Sequence, residues 1–198
     1  MIVDKIFICH HTPLQYRKKR LLSSSLFPTN IPVEWVENYR PEEIRDRYDE
    51  IIGEVDLSRG RCPGEAVPEW EIPGAGKKIT VPELSLYLKH KYCLEEQVNK
   101  KYSQILVLED DSIIPDNFYD YLERCVNEFN AHEPKLDYLM LGTCCGFKSK
   151  GIVEGKMIYT DDRGPGYGFR CSAAQVVNLD TAKTILKHIN HINWPYDW

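Results

Sequence analysis

No stretch of this chain approaches the roughly 20 consecutive apolar residues that a membrane-spanning helix needs. Residues 1–9 are too short for the apolar core of a secretory signal and run straight into polar residues, so no such signal is expected. Positive charge is also in short supply: 25 Lys and Arg face 30 Asp and Glu, for a net charge of -5. That balance argues against a nucleic-acid partner. None of the seven Cys forms a C-x-x-C pair, and Cys144 and Cys145 are adjacent, so zinc-binding spacing is missing. An odd number of thiols fits a reducing, cytosolic-type compartment, and a cytoplasmic location is expected. Internal repeats and low-complexity tracts are absent. Three catalytic signatures are missing too. Gly76-Lys77 has Glu71 where a P-loop needs its first glycine, no nucleophile elbow occurs, and His10-His11-Thr12-Pro13 is not a glycine-rich phosphate turn.

What the chain does contain is enough for one sizeable domain. Its 198 residues are 42% apolar, which suits a single α/β domain. Residues 5–9 read as a first strand and residues 15–26 as a helix. Residues 34–36 suggest a short strand, and residues 41–52 a helix with Pro41 in its first turn. Residues 53–78, rich in Gly and Pro, read as a flexible flap. Thr80-Val81-Pro82-Glu83 is a capping-box pattern, opening a helix to about residue 100 with a rough stripe of Leu84, Tyr87, Leu88, Tyr92, Leu94 and Val98. Residues 117–130 carry a fuller stripe, from Phe118 to Phe129, at helical spacing. Strands are expected at residues 138–141, 157–160 and 175–178. Asp180 is expected to cap a last helix. The terminal Trp194-Pro195-Tyr196-Asp197-Trp198 suggests a piece of a longer protein.

The chemistry concentrates in Ile105-Leu106-Val107-Leu108-Glu109-Asp110-Asp111, where an apolar run meets three successive carboxylates. Such a run reads as a strand buried on both faces, typical of a parallel sheet. Ligands of open α/β sheets bind beyond the carboxyl ends of these strands. Three acids there repel one another, and a hard cation relieves the repulsion. In an extended strand end, Glu109 and Asp111 point to one side and Asp110 to the other. Glu109 and Asp111 can therefore share Mg²⁺ or Mn²⁺, with a diphosphate completing the shell. The plainer alternative is an acidic junction open to water. Arg17-Lys18-Lys19-Arg20 is either a solvated helix face or an attractor for a phosphorylated ligand. His10-His11 is either a solvated pair or ligand-facing. His188 and His191 are explained by the dipole of a helix end.

These elements, taken in order, resemble glycosyltransferase family 25, the lipooligosaccharide and collagen galactosyltransferase family. The resemblance rests on Glu83 with Leu88-Lys89-His90, on Val107-Leu108-Glu109-Asp110-Asp111, and on Asp137-Tyr138-Leu139-Met140-Leu141-Gly142. Residues 174–182 and Pro195-Tyr196-Asp197 extend it, and together the match covers most of the chain from Thr80 onward. Departures fall at Lys89, where the family has Ser, at Gln175, where it has Tyr, and at the opening Ile8-Cys9-His10-His11. None falls on the acidic triplet. The resemblance implies a GT-A-like Rossmann-type sandwich with a mostly parallel central sheet. It implies an inverting, Mn²⁺-dependent (or Mg²⁺-dependent) transfer of a hexose or pentose from a nucleotide sugar, with a uridine diphosphate sugar as the expected donor. The acceptor would be a glycan or a glycoprotein. Asp111 is the expected metal ligand, with Glu109 assisting it or holding the ribose. His10, Thr12, Arg17, His90, Glu109 and Asp110 are expected against the nucleotide. Inversion needs a base for the acceptor hydroxyl, and Asp197 is preferred over Asp161 or Asp162. Asp197 is equally readable as a solvated terminal carboxylate. Two other functions compete: a catalytically inactive relative acting as a binding module of a larger glycan-building protein, and a nucleotidyl- or phosphotransferase using the same metal logic.

Overall fold

The computed structural model describes residues 2–52, 80–133, 135–136, 138–142 and 173–188. In chain order these form β1 (Lys5–Cys9), α1 (Gln15–Leu22), β2 (Val33–Val36), α2 (Pro41–Arg45), α3 (Tyr48–Ile52), α4 (Val81–Lys100), β3 (Gln104–Glu109), α5 (Phe118–Ala131), β4 (Tyr138–Gly142), β5 (Ala174–Asn178) and α6 (Leu179–His188). The expected flap at 53–78, the strand at 157–160, Cys144-Cys145, His191 and the acids Asp161, Asp162 and Asp197 lie outside the described residues.

The strands make one sheet in the order β2-β1-β3-β5-β4. β1 runs parallel to both β2 and β3, while β5 is antiparallel to β3 and to β4. Among the described strands only β5 is reversed, but it supplies both antiparallel pairings, so the sheet is mixed. The apolar runs of β1 and β3 are buried on both faces, as an internal strand requires. Ile6, Ile8, Leu106 and Leu108 enter one core layer with Leu21 of α1 and Phe118, Leu122, Val126 and Phe129 of α5. Phe7, Cys9, Ile105 and Val107 enter the opposite layer with Cys93 and Leu94 of α4 and Ala182 of α6. The two-residue period of the strands thus sorts successive side chains into two layers, each roofed by helices.

Local chemistry sets the helix ends. α1 stops at Leu22, short of the expected 26, because the following serines turn back on it. Ser23 Oγ donates to the Lys19 carbonyl at 3.0 Å and Ser24 Oγ to the Leu21 carbonyl at 2.6 Å, offering the chain an alternative to continued helix. The single helix expected over 41–52 is instead α2 and α3, separated at Asp46 and Arg47. Asp180 does not cap α6: the helix begins one residue earlier, and Asn178 Oδ1 accepts the Thr181 amide at 2.8 Å. Asp180 lies in the first turn, paired with Lys183 at 2.9 Å.

α4 carries the expected capping box. The Thr80 amide donates to Glu83 Oε2 at 2.6 Å, and the Glu83 amide donates back to Thr80 Oγ1 at 3.4 Å. Thr80→Ala is expected to cost about 1 kcal/mol and lower the melting temperature by about 2–4 °C. A thermal melt followed by circular dichroism tests this, and an unchanged melt would mean the cap contributes nothing.

The route of the chain decides where a ligand can sit. From β1 it passes through α1, on one face, to β2. It returns through α4, on the other face, to β3 on the far side of β1. The two connections place β2 and β3 on opposite sides of β1, which makes the carboxyl ends of β1 and β3 a topological switch point, where open α/β sheets form their binding crevice.

Candidate functional site

The crevice is built where β1 runs into His10-His11 and β3 into Asp110-Asp111. Asp110 is its anchor, with only 4% of the residue exposed. Its Oδ2 accepts from His10 Nδ1 at 2.8 Å and from the His11 amide at 2.9 Å, and its Oδ1 accepts from Arg17 Nη1 at 2.8 Å. Burial alone pushes this carboxyl up. The His11 amide, the Arg17 guanidinium and the His10 imidazole outweigh it and hold Asp110 below the usual carboxylate range. The Asp110 amide donates to the Cys9 carbonyl at 3.1 Å, which ties the two strand ends together.

The basic run of α1 is therefore not a plain solvated face. Arg17 reaches Asp110 and lies 3.4 Å from Asp111. Arg20 Nη2 donates to the carbonyls of Asp110 and Ser112 at 3.2 and 3.3 Å. Lys18 pairs with Glu37 at 2.6 Å and sits over the Trp35 ring, 4.6 Å from its centroid. Three of the four cations fasten α1 to the loop after β3 and to β2. The helix clamps the acidic loop.

Asp111 behaves differently from Asp110. Burial, then repulsion from Glu109, raises its carboxyl above the ordinary value; Arg17 opposes the rise and Asp110 adds to it. Glu109 and Asp111 lie together on the divide between two clefts. One, of about 220 Å³, is also lined by His11, Arg17, Lys89 and Asp110. The other, of about 620 Å³, is largely apolar and includes Ile113, Phe118, Tyr121 and Cys125.

A buried relay stands behind Glu109. The Tyr138 hydroxyl donates to Gln175 Oε1, and Gln175 Nε2 is 2.8 Å from His90 Nδ1. With its oxygen taken by the tyrosine, the amide presents its N–H to His90. Nδ1 then accepts, so the imidazole proton is on Nε2, which faces Glu109 Oε1 at 3.5 Å.

Of the residues expected against a nucleotide, Arg17, Glu109 and Asp110 line the smaller cleft with His10. His10 and His90 are wholly buried, His10 bonded to Asp110 and His90 3.5 Å from Glu109. Thr12 lies on the turn before α1, where its carbonyl accepts from Gln15 Nε2 at 2.6 Å. The expected base Asp197, with Asp161 and Asp162, is outside the described residues. Reading the sequence for a site missed Lys89, Gln175 and Tyr138. Lys89 and Gln175 were visible only as departures from a family pattern, and Tyr138 as an ordinary strand residue.

The chemistry of the donor set suits a hard cation. Among the described residues no group of three or more His, Cys, Asp or Glu side chains could hold a metal ion by itself. Glu109 and Asp111 offer two carboxylates, and Asp111 is raised by the neighbouring anions, an arrangement a cation relieves. Mg²⁺-type sites commonly take one or two protein carboxylates and complete their shell with water and substrate phosphate.

No helix among the described residues is long and apolar enough to cross a membrane. A family model described as Glycosyltransferase family 25 (LPS biosynthesis protein) matches residues 14–198. The match reaches well upstream of Thr80, taking in α1 and its clamp. Two relatives, from Rattus norvegicus and Bos taurus, are named Probable inactive glycosyltransferase 25 family member 3. The first is 27% identical over 139 residues, 70% of this chain and 22% of its own. The second is 27% identical over 153 residues, 77% of this chain and 24% of its own. A Homo sapiens protein named Inactive glycosyltransferase 25 family member 3 is 31% identical over 78 residues, 39% of this chain and 13% of its own. The chain thus spans about a quarter, or less, of the length of these relatives. By the extent of the family match, this chain belongs to glycosyltransferase family 25.

Proposed function

We propose that this chain transfers a sugar from a nucleotide sugar to a hydroxyl of a glycan or protein-linked acceptor, on a GT-A-like form of its α/β fold. A uridine diphosphate sugar is the donor class to test first. The observation that carries the reading is the meeting of Glu109 and Asp111 with Arg17 in one small cleft at the β1/β3 switch point. A diphosphate needs cationic contacts, and paired carboxylates there make sense as ligands for the cation that accompanies it. Glu109 and Asp111 would hold Mn²⁺ or Mg²⁺, which when bound neutralises the departing diphosphate. Asp110 keeps Arg17 against the cleft wall and fixes the turn after β1. His90, directed by Gln175, holds Glu109 in place. The larger apolar cleft, on the other side of the same carboxylates, offers the acceptor a place to approach.

Transfer with inversion is a direct displacement. The acceptor oxygen bonds to the anomeric carbon as the bond to the diphosphate breaks, and a base takes the hydroxyl proton. Asp197 is the proposed base, with Asp161 and Asp162 as the other acids available.

A second reading is a module that binds a nucleotide without turnover, favoured by the names of the relatives and by the ion pair Arg17 already makes beside Asp111. Two measurements separate the readings. Millimolar UDP with Mn²⁺ is expected to raise the melting temperature more than either alone. At 100-fold excess over Kd the gain is about 2.7 kcal/mol, or about 5–10 °C for a chain of this size. Slow hydrolysis across a panel of nucleotide sugars then identifies an enzyme and its donor. A shift without hydrolysis supports the module. With no shift for any nucleoside diphosphate, the nucleotide site itself is wrong.

A further inference from the structure

Lys89 is a charged residue in a place where charge is costly. It projects from the middle of α4 and only 3% of it is exposed. Lysines are almost never so buried unless paired. An ammonium carries three N–H donors. Lys89 Nζ donates to one acceptor, the His10 carbonyl, at 2.5 Å, and no carboxylate of the described residues pairs with it.

The acids whose charge acts most on Lys89, Asp110, Glu37 and Glu43, are engaged elsewhere. Asp110 is held by His10, His11 and Arg17. Glu37 is held by Lys18, and Glu43 by the side chain and backbone of Arg40. Burial pushes the Lys89 ammonium below its ordinary value, and Cys9, Asp110, Glu37 and Glu43 oppose that from a distance without saturating its donors. Lys89 also lines the 220 Å³ cleft beside Glu109 and Asp111. A cation with free donors, facing a small cleft and shielded from water, is matched by an anionic oxygen. A neutral sugar hydroxyl would leave its charge uncompensated.

The geometry points to Lys89 as a direct contact for a phosphate oxygen of the bound nucleoside diphosphate. This rests on the nucleotide-binding reading above and adds to it a second protein cation in the cleft, besides Arg17. With Arg17 already drawn into ion pairs with Asp110 and Asp111, Lys89 is the cation whose donors remain available to the ligand.

The test is calorimetric titration of UDP and GDP, and of uridine and guanosine at millimolar concentration, into the wild-type chain and Lys89→Met in Mn²⁺. Methionine keeps the unbranched length and removes the buried charge, so the melting temperature is expected to hold or rise. Diphosphate affinity is expected to fall about 10- to 100-fold, the range for a lost hydrogen bond to a charged group. Nucleoside affinity is expected to stay as it was. Equal diphosphate affinity in the two proteins overturns the inference and leaves nucleotide binding intact. A lower melting temperature with parallel loss of diphosphate and nucleoside binding also overturns it, because that is the pattern of a residue that only props up the His10 turn. A wild-type chain that binds neither diphosphate overturns the inference together with the reading beneath it. Should Lys89→Met fail to fold, Lys89→Gln carries the same comparison.

Discussion

Asp110→Ala is expected to destabilise the domain by about 3 kcal/mol and to lower the melting temperature by about 6–12 °C. The carboxylate is the common acceptor for the His10 ring and the His11 amide, from the β1–α1 connection, and for the Arg17 guanidinium of the first turn of α1. Deleting it leaves a wholly buried imidazole without its acceptor at Nδ1, an amide without its bond and a guanidinium beside a void. Leaving such groups unpaired in a protein interior costs more than the net worth of the bonds lost. The pH dependence has a definite sign. Asp110 titrates lower when folded than unfolded. Its stabilisation is therefore complete above the unfolded carboxylate range, about pH 4, and is lost as pH falls through the folded value. The stability gap between wild type and Asp110→Asn should be constant at neutral pH and narrow below about pH 4. Denaturant titrations across that range check both statements. A variant that melts with the wild type would show that the cluster does not hold the two strand ends together.

The contrast between strands and α4 explains what sequence could reveal. The runs of β1 and β3 announce themselves because burial on both faces demands apolar residues at every position, and α5 because only one of its faces is buried. α4 lies between the sheet and neighbouring helices, touching α2, α6, β1 and β3. Its buried positions include Lys89, His90 and Gln97, whereas Leu88, Tyr92 and Val98 of the expected stripe are only partly buried. The polar three are tolerated inside because each meets a partner distant in the chain: the His10 carbonyl, Gln175, and the Val177 carbonyl at 2.9 Å. Hydropathy patterns carry no record of such pairings. The same limit applied to the run from Arg17 to Arg20. Its charge was obvious, but that two of its arginines point at the loop after β3 depends on how α1 packs on the sheet. That Glu109 and Asp111 share a cleft was legible, but that Asp110 lines it too was not, because β3 ends at Glu109 and pleating sets directions only within a strand. The reversed β5 was not, because nothing local to its five residues encodes direction.

Asp111→Asn is expected to separate function from stability in the opposite sense to Asp110→Ala. Burial and the Glu109 and Asp110 charges raise the folded Asp111 carboxyl, with Arg17 only partly compensating. A raised carboxyl binds its proton more tightly in the folded chain than in the unfolded one. Its ionised form therefore works against folding at neutral pH, and that penalty fades as pH falls through the folded value. Asparagine keeps the shape and removes the repulsion. The side chain is 51% exposed, so the gain is small and screened, but its direction is upward. Arg17 keeps its 2.8 Å bond to Asp110, so the clamp survives. Donor hydrolysis, in contrast, should fall about 100-fold or more, the scale on which loss of a charge-stabilising contact in a transition state registers. The Mn²⁺-dependent part of the UDP-induced rise in melting temperature should vanish as well, a readout that remains informative if the wild-type chain binds without turnover. A variant that melts lower than the wild type, or keeps the full Mn²⁺-dependent shift, would place the cation elsewhere and make Asp111 an ordinary acid at the end of a strand.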